Sequence, residues 1–264
     1  MVMMSVVVAL AVLMSLLMAA AWALQRYTGS SGWIDTVWSA SVGLGGVVAV
    51  SFSDGDSWRR GAVLFLVLVW SLRLAGHIGM RTRGGGEDPR YAKLIEEWGS
   101  NASWRLFAFL QIQAVAAFVL VLAVYLAASN PLPFPSIIDV IALIVAAGAL
   151  VGEATSDAQL SQFRKTPEAK TGVCETGLWR YSRHPNYFFE WLFWCGFPLL
   201  AIHAQPWSWL SLAAPAMMYW LLVHVSGIPP LEEHMLKSRG EKFRALQNRV
   251  NAFFPGPRKN EDTP

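Results

Sequence analysis

The stretch from Leu106 to Ala128, LFAFLQIQAVAAFVLVLAVYLAA, decides the fold, because it runs 23 residues without one charged side chain. A helix crosses a hydrocarbon core with about 20 predominantly apolar residues. Six other windows read the same way: Met3 to Leu24, Trp33 to Phe52, Gly61 to Met80, Ile137 to Thr155, Tyr187 to Ala204 and Ser208 to Val225. The expectation is an all-α, multi-pass membrane protein with seven transmembrane helices. Composition agrees: 54% of the 264 residues are hydrophobic and only 15% charged, against about a quarter charged in a soluble domain. The windows leave no separate soluble domain, so 1–264 reads as a single membrane domain. Within it, 1–104 holds three spans and an inner loop, 105–255 the C-terminal region, and 256–264 a flexible tail.

Lys and Arg set the orientation, since cytoplasmic loops carry the excess. With the N-terminus outside, eighteen of the 21 fall on the inner side: Arg26, the Arg81–Arg105 and Arg164–Arg183 loops, and the tail from Lys237 to Lys259. The outer side holds Arg59 and Arg60, and Arg73 lies inside the third span. The C-terminus is therefore expected in the cytoplasm. The net charge of +3 reads as membrane-orienting charge, with no nucleic-acid partner. Met1 to Leu24 lacks the charged first region of a secretory signal and is expected to be a retained span. Tyr187, Trp191, Trp207, Trp209 and Tyr219 suit interfacial anchoring. Cys174 and Cys195 belong to no framework of paired spacings and are expected to be free. The His residues form no ligand cluster, so no metal is expected. Gly43-Leu-Gly-Gly46 lies within a span, not between a strand and a helix, so it does not support a dinucleotide-binding turn.

Polar residues inside or beside the spans are the candidates for chemistry, because hydrocarbon penalises them. Arg73, His77 and Arg81 recur every four residues on one helix face. Asp35 opens the second span near Trp38 and Ser39, with Arg73 as a candidate partner. Glu153, Asp157, Ser161 and Arg164 form a stripe that suits a ligand groove or a solvated face. The densest group is Gly177-Leu-Trp-Arg-Tyr-Ser-Arg-His-Pro-Asn-Tyr187, followed by Glu190 inside the sixth span. Glu232 to Val250 reads as a polar helix ending before Phe253, with a disordered end at 260–264.

That last motif, with its following Glu, resembles the signature of the steroid 5-alpha-reductase C-terminal superfamily, most closely a bacterial branch of unknown function. Asp35 with Trp38, Arg73 with His77, the Gly86–Tyr91 stretch, Trp98 and Pro229 to Glu232 resemble further marks of that branch. The resemblance implies a seven-span NADPH-dependent reductase that transfers hydride to the conjugated double bond of a steroid-like or other lipid enone. The cofactor would sit in a cavity open to the cytoplasm. It implies cofactor contacts from Asp157, Arg164 and Asn186, with Arg81, Tyr181, Arg183, His184, Tyr187 and Glu232 alongside, and a catalytic set of Asp35, Arg73, His77 and Glu190. The chain departs from the steroid enzymes at the Gln-Glu pair of the second span, where Ile34 to Val37 stand, and at a third-span Tyr, where Trp70 stands. Asp35, His77 or Arg73 must then polarise the substrate carbonyl. Isoprenylcysteine carboxyl methyltransferases share the Arg-His-Pro element and carry paired acids after the last span, as Glu232 and Glu233 do here. S-adenosylmethionine-dependent methyl transfer is the alternative, and a non-catalytic lipid-binding role a third.

Overall fold

The computed structural model describes residues 2–83 and 88–259, without the side chains of Val2 and Pro89. Gly86 and Glu87 of the Gly86–Tyr91 stretch, and the 260–264 end, lie outside the described residues. Among those described, all regular structure is helical: α1 (Val2–Thr28), α2 (Trp33–Ser51), α3 (Ser57–Arg83), α4 (Pro89–Trp98), α5 (Ala102–Ala128), α6 (Ile137–Phe163), α7 (Pro185–Ala201), α8 (Ala213–Trp220), α9 (Ile228–Arg239) and α10 (Glu241–Arg249). Among these residues, six helical segments are long and apolar enough to cross a membrane: Met3–Thr28, Trp33–Ser51, Ser57–Arg83, Arg90–Ala128, Ile137–Phe163 and Pro206–Arg239. The window from Tyr187 to Ala204 corresponds to α7, which has 17 residues with Pro198 inside and falls just short of that length. Side chains such as Leu16, Phe65, Leu72, Ile112 and Ile144 stand well exposed along these helices. Such apolar faces suit lipid and would be costly in water.

The chain divides into two compact units: 1–140 with 197–214, and 141–196 with 215–264. In the first unit, α2 packs against α1, α3 and α5, and α1 against α5. Gly43-Leu-Gly-Gly46 makes this possible. A Cβ on Gly43 would overlap Ser71, one on Gly45 would lie 2.7 Å from Met14 Cε, and one on Gly46 2.8 Å from Val67 Cγ1. Small residues let membrane helices approach closely where no hydrophobic force joins them, and Ser71 Oγ uses the approach to donate to the Ser39 carbonyl at 2.9 Å. Gly43→Ala is expected to lower stability in detergent by about 1 to 3 kcal/mol, with part of the loss recovered by adding Ser71→Gly. An unchanged thermal midpoint would show that α2 and α3 do not need the close fit.

Arg59, counted from the sequence as a loop charge, is 1% exposed. It sits in the first turns of α3 and forms an ion pair with Asp139 at the start of α6. Its guanidinium also donates to the carbonyls of Leu200 (3.0 Å), Leu132 (3.2 Å) and Pro133 (3.4 Å), and lies over the Phe134 ring. Asn130 Nδ2 donates to the same Leu200 carbonyl. A charge removed from water this completely needs such a set of acceptors.

In the second unit, α6 and α7 approach closely. A Cβ on Gly152 would enter the Phe189 ring, and one on Gly196 would lie 3.3 Å from the Ala142 carbonyl and from Ala146 Cβ. The polar segment expected as one helix from Glu232 to Val250 is two, α9 and α10, broken at Gly240, whose φ of +54° is a left-handed conformation that glycine takes without strain. Phe243, Leu246 and Val250 pack α10 onto Met235 and Leu236 of α9. Trp191 and Tyr219, expected as interfacial anchors, pack with Phe188, Phe253 and Phe254 in one aromatic cluster. Trp207 and Trp209, in the first unit, stand exposed. Cys174 and Cys195 are free thiols.

Candidate functional site

The Arg-His-Pro loop is built from below by α6. Gly177 turns with φ +58°, which lets the Leu178 N–H reach Gln159 Oε1 at 2.9 Å, while Trp179 Nε1 donates to the Ser156 carbonyl. Pro185 then occupies the first position of α7, where a missing N–H costs nothing. From the other side the tail closes over the loop. The Arg183 N–H donates to the Asn251 carbonyl at 2.9 Å, and the Gly256 N–H to that of Tyr181 at 3.0 Å. Ser182 Oγ reaches the carbonyls of Ala252 and Phe253. In residues 256–259, part of the expected tail, Arg258 meets Glu175 at 2.8 Å, and the Lys259 N–H bonds the Arg249 carbonyl.

Glu232 of α9 is the centre of this arrangement. Its carboxylate accepts from Arg183 Nε (2.7 Å) and Nη2 (3.1 Å), from His184 Nε2 (2.9 Å) and from Gln247 Nε2 (2.7 Å). Arg183 Nη1 goes to the carbonyls of Gln247 and Val250. Arg183 and Glu232, assigned to the cofactor from the sequence, are thus committed to each other and to the tail helices. Gln247 carries no signal in the sequence. His184 is buried and stacks on Tyr187 with ring centroids 5.6 Å apart. Burial depresses the imidazole below its ordinary 6.5; hydrogen bonding to Glu232 and its charge oppose this, and the Arg183 charge adds to it.

The α6 stripe meets the same loop. Asn186 Nδ2 donates to Asp157 Oδ1 at 3.3 Å, both residues half-buried. Arg164 lies one residue past the end of α6, exposed, and Tyr181 is exposed as well. Glu190 is buried one turn into α7 and accepts from Trp194 Nε1 at 3.0 Å.

The first unit holds a second polar cluster. Asp35 Oδ2 pairs with Arg90 at 2.5 Å, and Asp35 Oδ1 accepts from the Tyr91 hydroxyl at 2.7 Å. Gln113 Nε2 donates to that hydroxyl at 2.7 Å, and Trp38 Nε1 to the Gln113 carbonyl. Asp88 caps α4, accepting from the Arg90 N–H and from its guanidinium. Burial pushes its carboxyl up, but the hydrogen bonds and charge of Arg90, with the charge of Arg81, outweigh this and hold it below the ordinary value. Arg81 lies 3.4 Å from Asp88 and is mostly exposed. His77 is exposed and Arg73 half-buried. In the sequence the Gly86–Tyr91 stretch is a family mark, and nothing in its pattern gives Arg90 or Tyr91 a role.

A family described as a protein of unknown function, DUF1295, matches residues 21–250. The chain belongs to this family. It is a steroid 5-alpha-reductase-like family. An uncharacterized protein of the yeast Schizosaccharomyces pombe, C594.04c, is 38% identical over 86 residues, which are 32% of this chain and 24% of the yeast protein. The chain thus spans about a quarter of that relative's length. No solved structure matches.

Proposed function

We propose that the protein is an NADPH-dependent membrane reductase that saturates a conjugated enone of a lipid. Membership of a steroid 5-alpha-reductase-like family supports the reaction class. The observation that carries the cofactor reading is the pairing of Asp157 with Asn186 beside the Arg-His-Pro loop. The residues present fit a dinucleotide: Asp157 and Asn186 offer an acceptor and a donor to hydroxyl and amide groups, Tyr187 an aromatic face, and Arg164 an exposed cation for phosphate. Arg183 and Glu232 would support this surface from behind. Bound NADPH would supply the hydride, leaving the protein to orient it and exclude water. As hydride adds to the β carbon, negative charge develops on the carbonyl oxygen and needs a hydrogen-bond donor. Asp35, Arg73 and His77 are the groups proposed for that role; the Tyr91 hydroxyl gives its one proton to Asp35 and accepts from Gln113, and would position Asp35. Glu190 stays in the proposed catalytic set as a buried carboxyl group.

In the same reading, α7 is the seventh span, the C-terminus is cytoplasmic and the cofactor enters from that side, in a bacterial inner membrane. Burial of Arg59 strengthens the charge asymmetry behind this orientation. Saturable NADPH binding to the detergent-purified protein is expected, weakened about tenfold or more in Asn186→Ala and Arg164→Ala, with folding retained. Undiminished binding in both variants would remove the site assignment. The second reading, S-adenosylmethionine-dependent methyl transfer, is favoured by one observation: Glu232, first of the acidic pair, lies against the Arg-His-Pro loop. Binding of S-adenosylmethionine in place of NADPH would select it.

A further inference from the structure

His184 has one ring nitrogen fully explained and one that is not. Nε2 lies 2.9 Å from Glu232 Oε1, and an ionised carboxylate only accepts, so the proton is on Nε2. That carboxylate is held by three other donors, from Arg183 and Gln247, which fixes its position and with it the plane of the imidazole. The ring is also stacked on Tyr187 at an interplanar angle of 11°, and the His184 N–H bonds Ser182 Oγ at 3.1 Å. Ring, tautomer and backbone are therefore all fixed from one side. On the other side, Nδ1 is buried and has no hydrogen-bond partner among the described residues, and the side chain is only 3% exposed. A buried acceptor left unmatched is costly and calls for an explanation.

We propose that His184 is a ligand-reading residue: Nδ1 accepts a hydrogen bond from a neutral N–H or O–H donor of the bound nucleotide, lying in the plane of the imidazole. This rests on the NADPH reading above and gives it a specific contact. The candidate donors are the carboxamide N–H and the ribose hydroxyls. A carboxylate or phosphate oxygen is rejected at this position, because it would face a lone pair. The Arg183–Glu232 pair acts through His184 as a positioning device, holding the acceptor in one orientation before the ligand arrives. The depressed basicity of the buried ring agrees with a neutral acceptor at neutral pH.

Two substitutions separate this role from a structural tie. In His184→Gln the amide reaches the Nε2 position and can still donate to Glu232, but nothing replaces Nδ1. In His184→Asn the amide oxygen takes the Nδ1 position, while the contact to Glu232 is lost. NADPH affinity, measured by tryptophan fluorescence quenching on full-length protein in detergent, is expected to fall about tenfold in His184→Gln with its thermal midpoint kept. His184→Asn is expected to bind more tightly than His184→Gln despite a lower midpoint. The opposite order, with His184→Gln binding like the unaltered protein, would reduce His184 to a structural tie and overturn the proposal. An analogue with acetyl in place of carboxamide separates the donors: if the amide is read, the unaltered protein binds the analogue as weakly as His184→Gln does, and if a hydroxyl is read the difference between the two proteins persists.

Long-range proton–nitrogen spectra of the imidazole give a readout that needs no turnover. Nδ1 is expected unprotonated in the free protein and shifted by added NADPH, whereas a proton on Nδ1 would overturn the proposal. If the unaltered protein binds no NADPH, the cofactor reading itself falls and takes the named ligand with it. Normal NADPH binding that ignores His184→Gln overturns this inference alone.

Discussion

Replacing Arg59 with alanine is expected to destabilise the protein by about 3 to 5 kcal/mol, the range for breaking one side of a buried ion pair. The loss comes chiefly from what stays behind. Asp139, 2% exposed, would keep its charge with the Ser136 N–H as its remaining donor among the described residues, and the carbonyls of Leu132, Pro133 and Leu200 would lose their shared donor. Arg59→Lys retains the charge but not the planar fork that meets both carboxylate oxygens, so an intermediate loss is expected. Replacing both partners by apolar residues, as in Arg59→Met with Asp139→Leu, should recover much of the stability, because the stranded charge is then gone. Reversible unfolding in mixed detergent micelles measures all three. An Arg59→Ala loss under about 0.5 kcal/mol, the scale of an ordinary surface change, would mean that the pair is solvated.

Arg183→Ala is expected to be the second large effect, at about 2 to 4 kcal/mol, and to be local. It removes two of the four donors to Glu232 and the donor shared by the Gln247 and Val250 carbonyls. Those bonds join the motif loop to α9, α10 and the start of the tail, so hydrogen exchange should accelerate across 228–259 while α1, α2 and α5 keep their protection. Uniform exchange throughout the chain would show global destabilisation in place of a released tail. Weaker NADPH binding without faster exchange would instead return Arg183 to direct cofactor contact.

The helices were legible because hydrocarbon imposes composition on every residue of a span, and that demand is local in sequence. The polar sites depend on long-range packing. Arg59 reads as a surface charge because it follows Asp54, Gly55 and Asp56 and stands beside Arg60, while its partner Asp139 lies 80 residues away. Asp35 stands out in the sequence, but its partners Arg90 and Tyr91 come from α4, which docks against α5 and lies 55 residues further along the chain. The Arg-His-Pro loop was found through its unusual density of donors, yet which of those donors face a ligand was not readable. Arg183 and Glu232 are 49 residues apart, and only the turn at Gly227 and the helix after it bring them together. Gly240, by contrast, was a readable break that the polar pattern on either side concealed.

The strap over the motif loop has a consequence for biogenesis. Ser182 takes its partner from Ala252, 70 residues later in the chain. A ribosome adding about 5 to 20 residues per second reaches that point roughly 4 to 14 s after making the loop. Throughout that interval Ser182 Oγ and the Arg183 N–H lack their partners in the tail, while Leu178 and Trp179 already have theirs in α6, so the signature motif is among the last parts of the protein to acquire its native shape, although it is not among the last to be synthesised.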